Sequence, residues 1–94
     1  IMKAMSKRLL EQISGAMKKR RVALGLKQSQ ASERAGISLA SLRKFEQTGE
    51  ISLERLIKLC RIYRMDRRIV SAFEEKDWWA LEEIKRAENQ RTVR

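Results

Sequence analysis

A short segment of the chain combines apolar, hydroxyl and cationic side chains: Leu39, Ala40, Ser41 and Lys44. Side chains of these types can contact the edges of nucleic-acid bases, so the four residues are candidates for base contacts. Lys44 comes four residues after Ala40, a spacing that places both on one side of a helix. A lysine can donate to O6 and N7 of guanine or to a phosphate, whereas Leu39 and Ala40 can pack against the methyl group of thymine. Leu39 can equally be an ordinary exposed leucine, since much of any protein surface is apolar.

Polar and basic residues around this segment can contact phosphate. Gln28 is placed to begin one helix and Ser38 to begin the next, where free backbone amides attract anions. Each also has an ordinary structural role, Ser38 as a helix cap and Gln28 as a surface glutamine. Arg43 lies toward the edge of the second helix, where we expect a contact with the DNA backbone. Lys18 and Lys19 either add phosphate contacts or form a solvated helix face.

Two short amphipathic stretches on either side of Gly36 must position these side chains. Ala31 and Ala35 are four residues apart, and Leu42 and Phe45 are three apart, so each pair shares a helix face. A glycine between the two faces can adopt the left-handed backbone that ends one helix and redirects the chain into another. The pattern therefore predicts two helices that cross at a tight turn, the second of which enters a DNA groove.

A set of residues between Arg21 and Ile62 matches the sequence pattern of one protein family. The set comprises Gly25-Leu26, Gln28, Glu33-Arg34-Ala35-Gly36, Ser38 and Glu46. It resembles the Xre/Cro repressor family of helix-turn-helix DNA-binding domains. The resemblance implies an all-α, lambda-repressor-like domain of five to six short helices with a C-terminal helical extension. It also implies a transcriptional repressor that binds double-stranded operator DNA as a homodimer through a recognition helix at 39–47.

The resemblance also implies an ion pair between helix one and the recognition helix, formed by Arg21 and Glu46. Three positions depart from the family pattern. Lys27 stands where a hydroxyl residue usually caps helix two, so that cap must come from another side chain or be weak. Ala31 stands where leucine is common, which leaves the core thinner there. Thr48 lengthens the exit from the recognition helix by one residue.

The charge of the chain is concentrated in its N-terminal part. Of the net charge of +10, residues 1–27 carry +7, residues 28–65 carry +3, and residues 66–94 carry none. Such asymmetry favours a nucleic acid partner for the N-terminal part and a different task for the C-terminal part. We therefore expect a helix-turn-helix domain at 1–75, followed at 76–94 by a C-terminal helix and tail that are not a separate domain.

Enzyme, metal and cofactor chemistry find no support in the composition. The chain has no histidine, one cysteine and no glycine-rich phosphate loop, so it lacks an imidazole relay and a thiol zinc cluster. Cys60 lies on an apolar helix face, which predicts a buried thiol. We expect neither enzymatic activity nor a bound metal or cofactor.

Helix starts can be predicted from capping residues. The candidate N-caps are Ser6, Ser38, Ser52 and Asp66, each preceded by an apolar residue. They predict helices near 7–24, 39–47, 53–64 and 67–75. A short helix is expected near 28–35, and Asp77 is expected to begin a sixth.

The C-terminal part is predicted to form a dimer or partner interface. Its candidate residues are Ile69, Phe73, Trp78, Trp79, Leu81 and Ile84. The tryptophans can in principle stack on bases, but stacking platforms lie in positive grooves and this segment has no net charge. The segment FEQTGEISLERLIKLC is also similar to HipB-like antitoxins. That similarity leaves an alternative function: an antitoxin that binds its toxin protein and represses its own operon.

The sequence predicts a cytoplasmic protein without a membrane span. It has no run of about 18 apolar residues, and IMKAMSKRLL lacks the apolar core of a signal peptide. Helix one, which is basic on one face and apolar on the other, can alternatively lie on a membrane surface. We expect its apolar residues Ile13 and Met17, together with Leu24, in the protein core instead.

Overall fold

The computed structural model describes residues 2–74 and 83–89, and all of the regular structure in these ranges is helical. The five helices with defined bounds are α1 (Met2–Ala23), α2 (Gln28–Ala35), α3 (Leu39–Thr48), α4 (Leu53–Ile62) and α5 (Asp66–Phe73). Residues 83–89 are helical as well. The predicted all-α fold is confirmed.

Two of the predicted N-caps form. The hydroxyl of Ser38 accepts from the backbone amide of Ser41 at 3.0 Å, and the hydroxyl of Ser52 accepts from that of Arg55 at 3.2 Å. In each case one of the free amides of a helix start gains a partner, which explains why α3 and α4 begin where they do.

The other two predicted N-caps are wrong. Ser6 lies inside α1, which begins at Met2, because lysine, alanine and methionine before it are all good helix formers. Asp66 is the first residue of α5, and the N-cap is Met65, whose side chain makes no capping bond. An aspartate at that position still favours the helix through its negative charge near the N-terminus.

The turn between α2 and α3 depends on Gly36. This glycine has a φ of +73°, and its amide donates to the carbonyl of Glu33 at 3.2 Å. The next amide, of Ile37, donates to the carbonyl of Ser32 at 3.0 Å. At the other end of α2, the amide of Lys27 donates to Oε1 of Gln30 at 2.9 Å. Gln30 thus makes one interaction of a capping box, whereas Lys27, whose ammonium cannot accept, makes no side-chain cap to the first-turn amides.

The core lies where α1, α2, α3 and α4 meet. Its buried residues are Met17, Leu26, Ala31, Ala35, Leu42, Phe45, Leu59, Cys60 and Tyr63. Cys60 is buried as predicted. The expectation of a core role is wrong for Ile13 and Leu24, which are 47% and 40% exposed. The buried positions of α1 include Ser14, at spacing three from Met17, and Ile13 lies beside this face rather than on it.

Gly49 lets the end of α3 approach α1 closely. It is buried, with a φ of +81°, and its amide donates to the carbonyl of Phe45 at 2.7 Å. A β-carbon added at Gly49 would lie 2.6 Å from Cβ of Leu10 and 2.9 Å from the Leu10 carbonyl carbon. This close approach, which the sequence did not predict, fixes the turn after α3 against α1.

Candidate nucleic-acid interface

Helix α3 presents one exposed face and one buried face. The exposed face consists of Ala40, Arg43, Lys44 and Gln47, at spacings of three and four. The buried face is formed by Leu42 and Phe45, which anchor the helix in the core. The exposed face therefore offers two cations, an amide and a methyl group on a rigid support. Cations and amides can donate hydrogen bonds to phosphates and to base edges in a major groove, and a methyl group can pack against a thymine methyl.

Gln47 was missed by the sequence analysis. It is exposed and lies four residues after Arg43 and three after Lys44, so the helical period alone places it on their face. Its amide can both donate and accept, which matches N7 and N6 of adenine. Gln47 therefore joins the candidates for base contacts.

Leu39 and Ser41 lie at the margins of the exposed face. Both are partly buried. The hydroxyl of Ser38 donates to Oγ of Ser41 at 2.8 Å while it also caps the helix. Contacts of these residues with DNA stay predictions, and only the outer part of Leu39 is available for a methyl contact.

Lys44 has an acidic neighbour that the sequence analysis did not identify. Its Nζ lies 3.5 Å from Oε2 of Glu50, and the two side chains are 65% and 63% exposed. Thr48 links the two residues, because its hydroxyl donates to the Lys44 carbonyl at 2.7 Å and accepts from the Glu50 amide at 3.1 Å. The carboxylate of Glu50 thus lies beside the exposed face of α3, which carries the basic candidates Arg43 and Lys44.

Arg21 and Glu46 join α1 to α3 in a nearly buried ion pair. Nε of Arg21 lies 2.8 Å from Oε2 of Glu46, and Nη2 lies 3.0 Å from Oε1. The two side chains are only 9% and 5% exposed. Nη1 of Arg21 also donates to the Leu26 carbonyl at 2.8 Å. The hydrogen bonds with Glu46 raise the pKa of Arg21, against the opposing effect of burial.

Gln28 adds a third helix to this cluster. Its Nε2 donates to Oε1 of Glu46 at 3.0 Å, so the carboxylate binds side chains from both α1 and α2. The predicted phosphate contact of Gln28 stays a prediction. The structure gives its amide an internal acceptor, and the orientation of α3 therefore depends on one carboxylate that two other helices hold.

The basic residues of α1 differ in their surroundings. Lys18 and Lys19 are exposed, as a phosphate contact or a solvated face requires. Arg20 is partly buried, and its Nε donates to the carbonyl of Tyr63 at 3.0 Å. Arg20 therefore ties α1 to the end of α4, a role the sequence analysis did not foresee.

Two buried side chains, the Tyr63 phenol and the Cys60 thiol, have raised pKa values. Burial is the main cause that raises the pKa of Tyr63 to about 12, and the negative charge of Glu46 adds to it. The Tyr63 hydroxyl has no hydrogen-bond partner among the described residues. Burial likewise raises the pKa of the Cys60 thiol, with a further contribution from Asp66. Both shifts favour the protonated, neutral form of the side chain in the folded protein.

An apolar groove lies between α4 and α5, away from the exposed face of α3. It is lined by Leu53, Ile57, Ile69, Val70 and Phe73. Phe73 is 84% exposed, whereas phenylalanine is among the residue types most often fully buried. Of the other predicted interface residues, Ile84 is exposed, and Trp78, Trp79 and Leu81 lie outside the described residues.

The chain matches the model of one protein family. The family model described as helix-turn-helix matches residues 17–70, more than half of the chain. The match begins within α1, ends within α5 and contains the whole of α2 and α3. Searches of curated proteins and of solved structures each found no match. Within the described residues, no helix combines the length and apolar character needed to cross a membrane.

Proposed function

Since this chain belongs to the Xre/lambda-repressor-like family of helix-turn-helix DNA-binding regulators, we propose that it binds one operator sequence as a homodimer and represses transcription. The observation that carries the proposal is the exposed face of α3, where Arg43, Lys44 and Gln47 project from a helix whose opposite face is buried. A helix of this kind fits the major groove, which is about 12 Å wide.

Base recognition comes from the exposed face of α3. Lys44 donates to O6 and N7 of guanine, and Gln47 pairs with N6 and N7 of adenine. Ala40 and the accessible part of Leu39 contact thymine methyl groups, and Ser41 assists with its hydroxyl. The contacts of Lys44 and Gln47 and the methyl contacts each favour one base pair, so together they define a half-site.

Phosphate contacts come from the rim of this surface. Ser38 and Gln28 lie at the first turns of α3 and α2, where backbone amides point outward, and Arg43 lies on α3 itself. Lys18 and Lys19 add charge from α1. These contacts carry little sequence information, but they fix the position of α3 on the duplex.

The Arg21–Glu46 pair supports recognition without touching DNA. It holds α3 to α1 through two charge-assisted hydrogen bonds. Since Glu46 lies on the helix that carries Lys44 and Gln47, this pair sets the angle at which those side chains enter the groove.

The second copy packs against the groove of α4 and α5. An exposed apolar patch around Phe73 favours burial against a partner, and a single recognition helix covers only a few base pairs. A dimer contacts two half-sites about one helical turn, roughly 34–36 Å, apart. Bound there, it obstructs polymerase sterically.

Selection from a random DNA pool tests the proposal. The protein should enrich one sequence with two half-sites, and its affinity for that duplex should fall steeply with salt. The slope of log K against log salt should be about −0.9 for each phosphate contacted. If no sequence is enriched, or if binding is insensitive to salt, sequence-specific DNA binding is wrong.

An antitoxin role remains the second candidate, and the apolar groove is the observation that favours it. In that case a toxin protein, rather than a second copy alone, covers Phe73 and its neighbours. Co-expression with the product of the adjacent gene distinguishes the two functions. An antitoxin should relieve that product's toxicity and form a complex with it, whereas a plain repressor should do neither.

A further inference from the structure

Glu50 occupies a position that is unfavourable for binding to a polyanion. Its carboxylate lies 3.5 Å from Nζ of Lys44 on the face of α3 proposed to meet DNA. Hydrogen bonds hold the backbone at Glu50 in place. Its amide donates to the hydroxyl of Thr48, which itself donates to the Lys44 carbonyl. Any phosphate that approaches Lys44 must therefore also approach a negative charge.

A base acceptor meets a different situation. An ammonium has three N–H donors, so Lys44 can keep Glu50 as one partner and still donate to guanine O6 and N7. These acceptors carry no net charge and do not repel the carboxylate as a phosphate does. The same carboxylate thus weakens a phosphate contact and leaves a base contact in place.

We propose that Glu50 determines specificity through Lys44: it holds the ammonium toward base acceptors and disfavours its contacts with phosphate. This inference rests on the proposed DNA-binding function and adds a positioning residue to it. Its consequence is weaker binding to DNA of arbitrary sequence, with affinity for the operator largely retained.

The variant Glu50→Gln tests the inference, with Glu54→Gln as the matched control. Glu54 pairs with Lys58 on α4 at 3.4 Å, so both variants remove one carboxylate from an exposed ion pair with lysine. Glu50→Gln should raise the affinity for a random-sequence duplex about two- to fivefold, the size expected for one exposed pair. It should change affinity for the selected operator less, so the ratio of the two affinities falls. The salt slope on random duplex should steepen by about 0.9 as Lys44 gains a phosphate.

A double variant tests whether Glu50 acts through Lys44. In a Lys44→Ala background, Glu50→Gln should no longer change the ratio of operator to random-duplex affinity. Melting temperatures of all variants, measured first, should match that of the wild type. Equal effects of Glu50→Gln and Glu54→Gln, or an effect that persists without Lys44, would overturn the inference while the proposed function stands. A wild-type protein that does not distinguish the operator from random duplex would overturn both.

Discussion

Gly49 at the end of α3 touches Leu10 of α1 so closely that a side chain at position 49 cannot fit without movement. A β-carbon there would lie 2.6 Å from Cβ of Leu10 and 2.9 Å from its backbone carbonyl oxygen. Backbone atoms cannot swing aside as the end of a flexible side chain can. The contact therefore fixes the distance between α1 and the turn that carries Glu50.

Gly49→Ala should destabilise the fold more than Gly36→Ala. Both glycines have positive φ, at +81° and +73°, so alanine costs about 1–2 kcal/mol at either position from the left-handed backbone alone. Of these two positions, only Gly49 has atoms that would clash with an added β-carbon, since nothing lies within 4 Å of a β-carbon at Gly36. Denaturant unfolding of the two variants measures the difference, and equal losses would show that α1 shifts freely.

Glu46→Ala should cost about 3–5 kcal/mol of folding free energy, because it leaves the nearly buried Arg21 without its carboxylate. Glu50→Ala, which breaks an exposed pair, should cost less than about 1 kcal/mol. Thermal or denaturant unfolding gives both values. A small loss for Glu46→Ala would mean that water replaces the carboxylate at Arg21.

Lys44→Ala should weaken binding to the selected operator by about 1–3 kcal/mol and relax the preference at one G·C pair. Lys19→Ala should instead weaken binding to all sequences alike, because a phosphate contact is independent of the base. Titrations against the operator and its single base-pair variants separate the two effects. An unchanged preference in Lys44→Ala would assign Lys44 to phosphate.

The stability of Tyr63→Phe should fall less at alkaline pH than that of the wild type. The folded pKa of about 12 lies above the ordinary value of 10, so between these values the unfolded chain releases a proton that the folded protein keeps. Stability therefore falls as pH rises above 10, by up to about 1.4 kcal/mol per pH unit from this group. The phenylalanine variant should lack this contribution.

Near neutral pH the same variant should be as stable as the wild type or slightly more stable, since the hydroxyl it removes is buried without a partner among the described residues. The chain has one tyrosine, so the absorbance of tyrosinate measures its pKa directly in the wild type. A midpoint near 10 in the folded protein would contradict the burial argument.

Phe73→Glu should dissociate the proposed dimer without unfolding the protomer, because this side chain is largely exposed and lines the apolar groove. Val22→Glu, an equally polar change at an exposed residue of α1 outside that groove, is the control. Sedimentation velocity of both variants compares their masses in solution. If Phe73→Glu remains dimeric, the interface lies elsewhere on the chain.

Local signals were enough to predict several elements. The bounds of α2, the turn at Gly36 and the caps at Ser38 and Ser52 all depend on residues within four positions of one another. Such interactions depend mainly on the local sequence. The family pattern named Arg21 and Glu46 as partners, and the structure brings them together. At Ser6 the local signal failed, because a serine within a run of helix formers does not end that run.

Tertiary packing decided what the chain alone leaves open. The hydrogen bonds of Gln28 to Glu46 and of Arg20 to Tyr63 join residues 18 and 43 positions apart, and the approach of Gly49 to Leu10 joins two helices. No periodicity encodes such distances, since they follow from the angles at which helices pack. The pairing of Lys44 with Glu50 spans only six positions, but it depends on the turn at Thr48 and Gly49, which the close approach of Gly49 to Leu10 holds against α1.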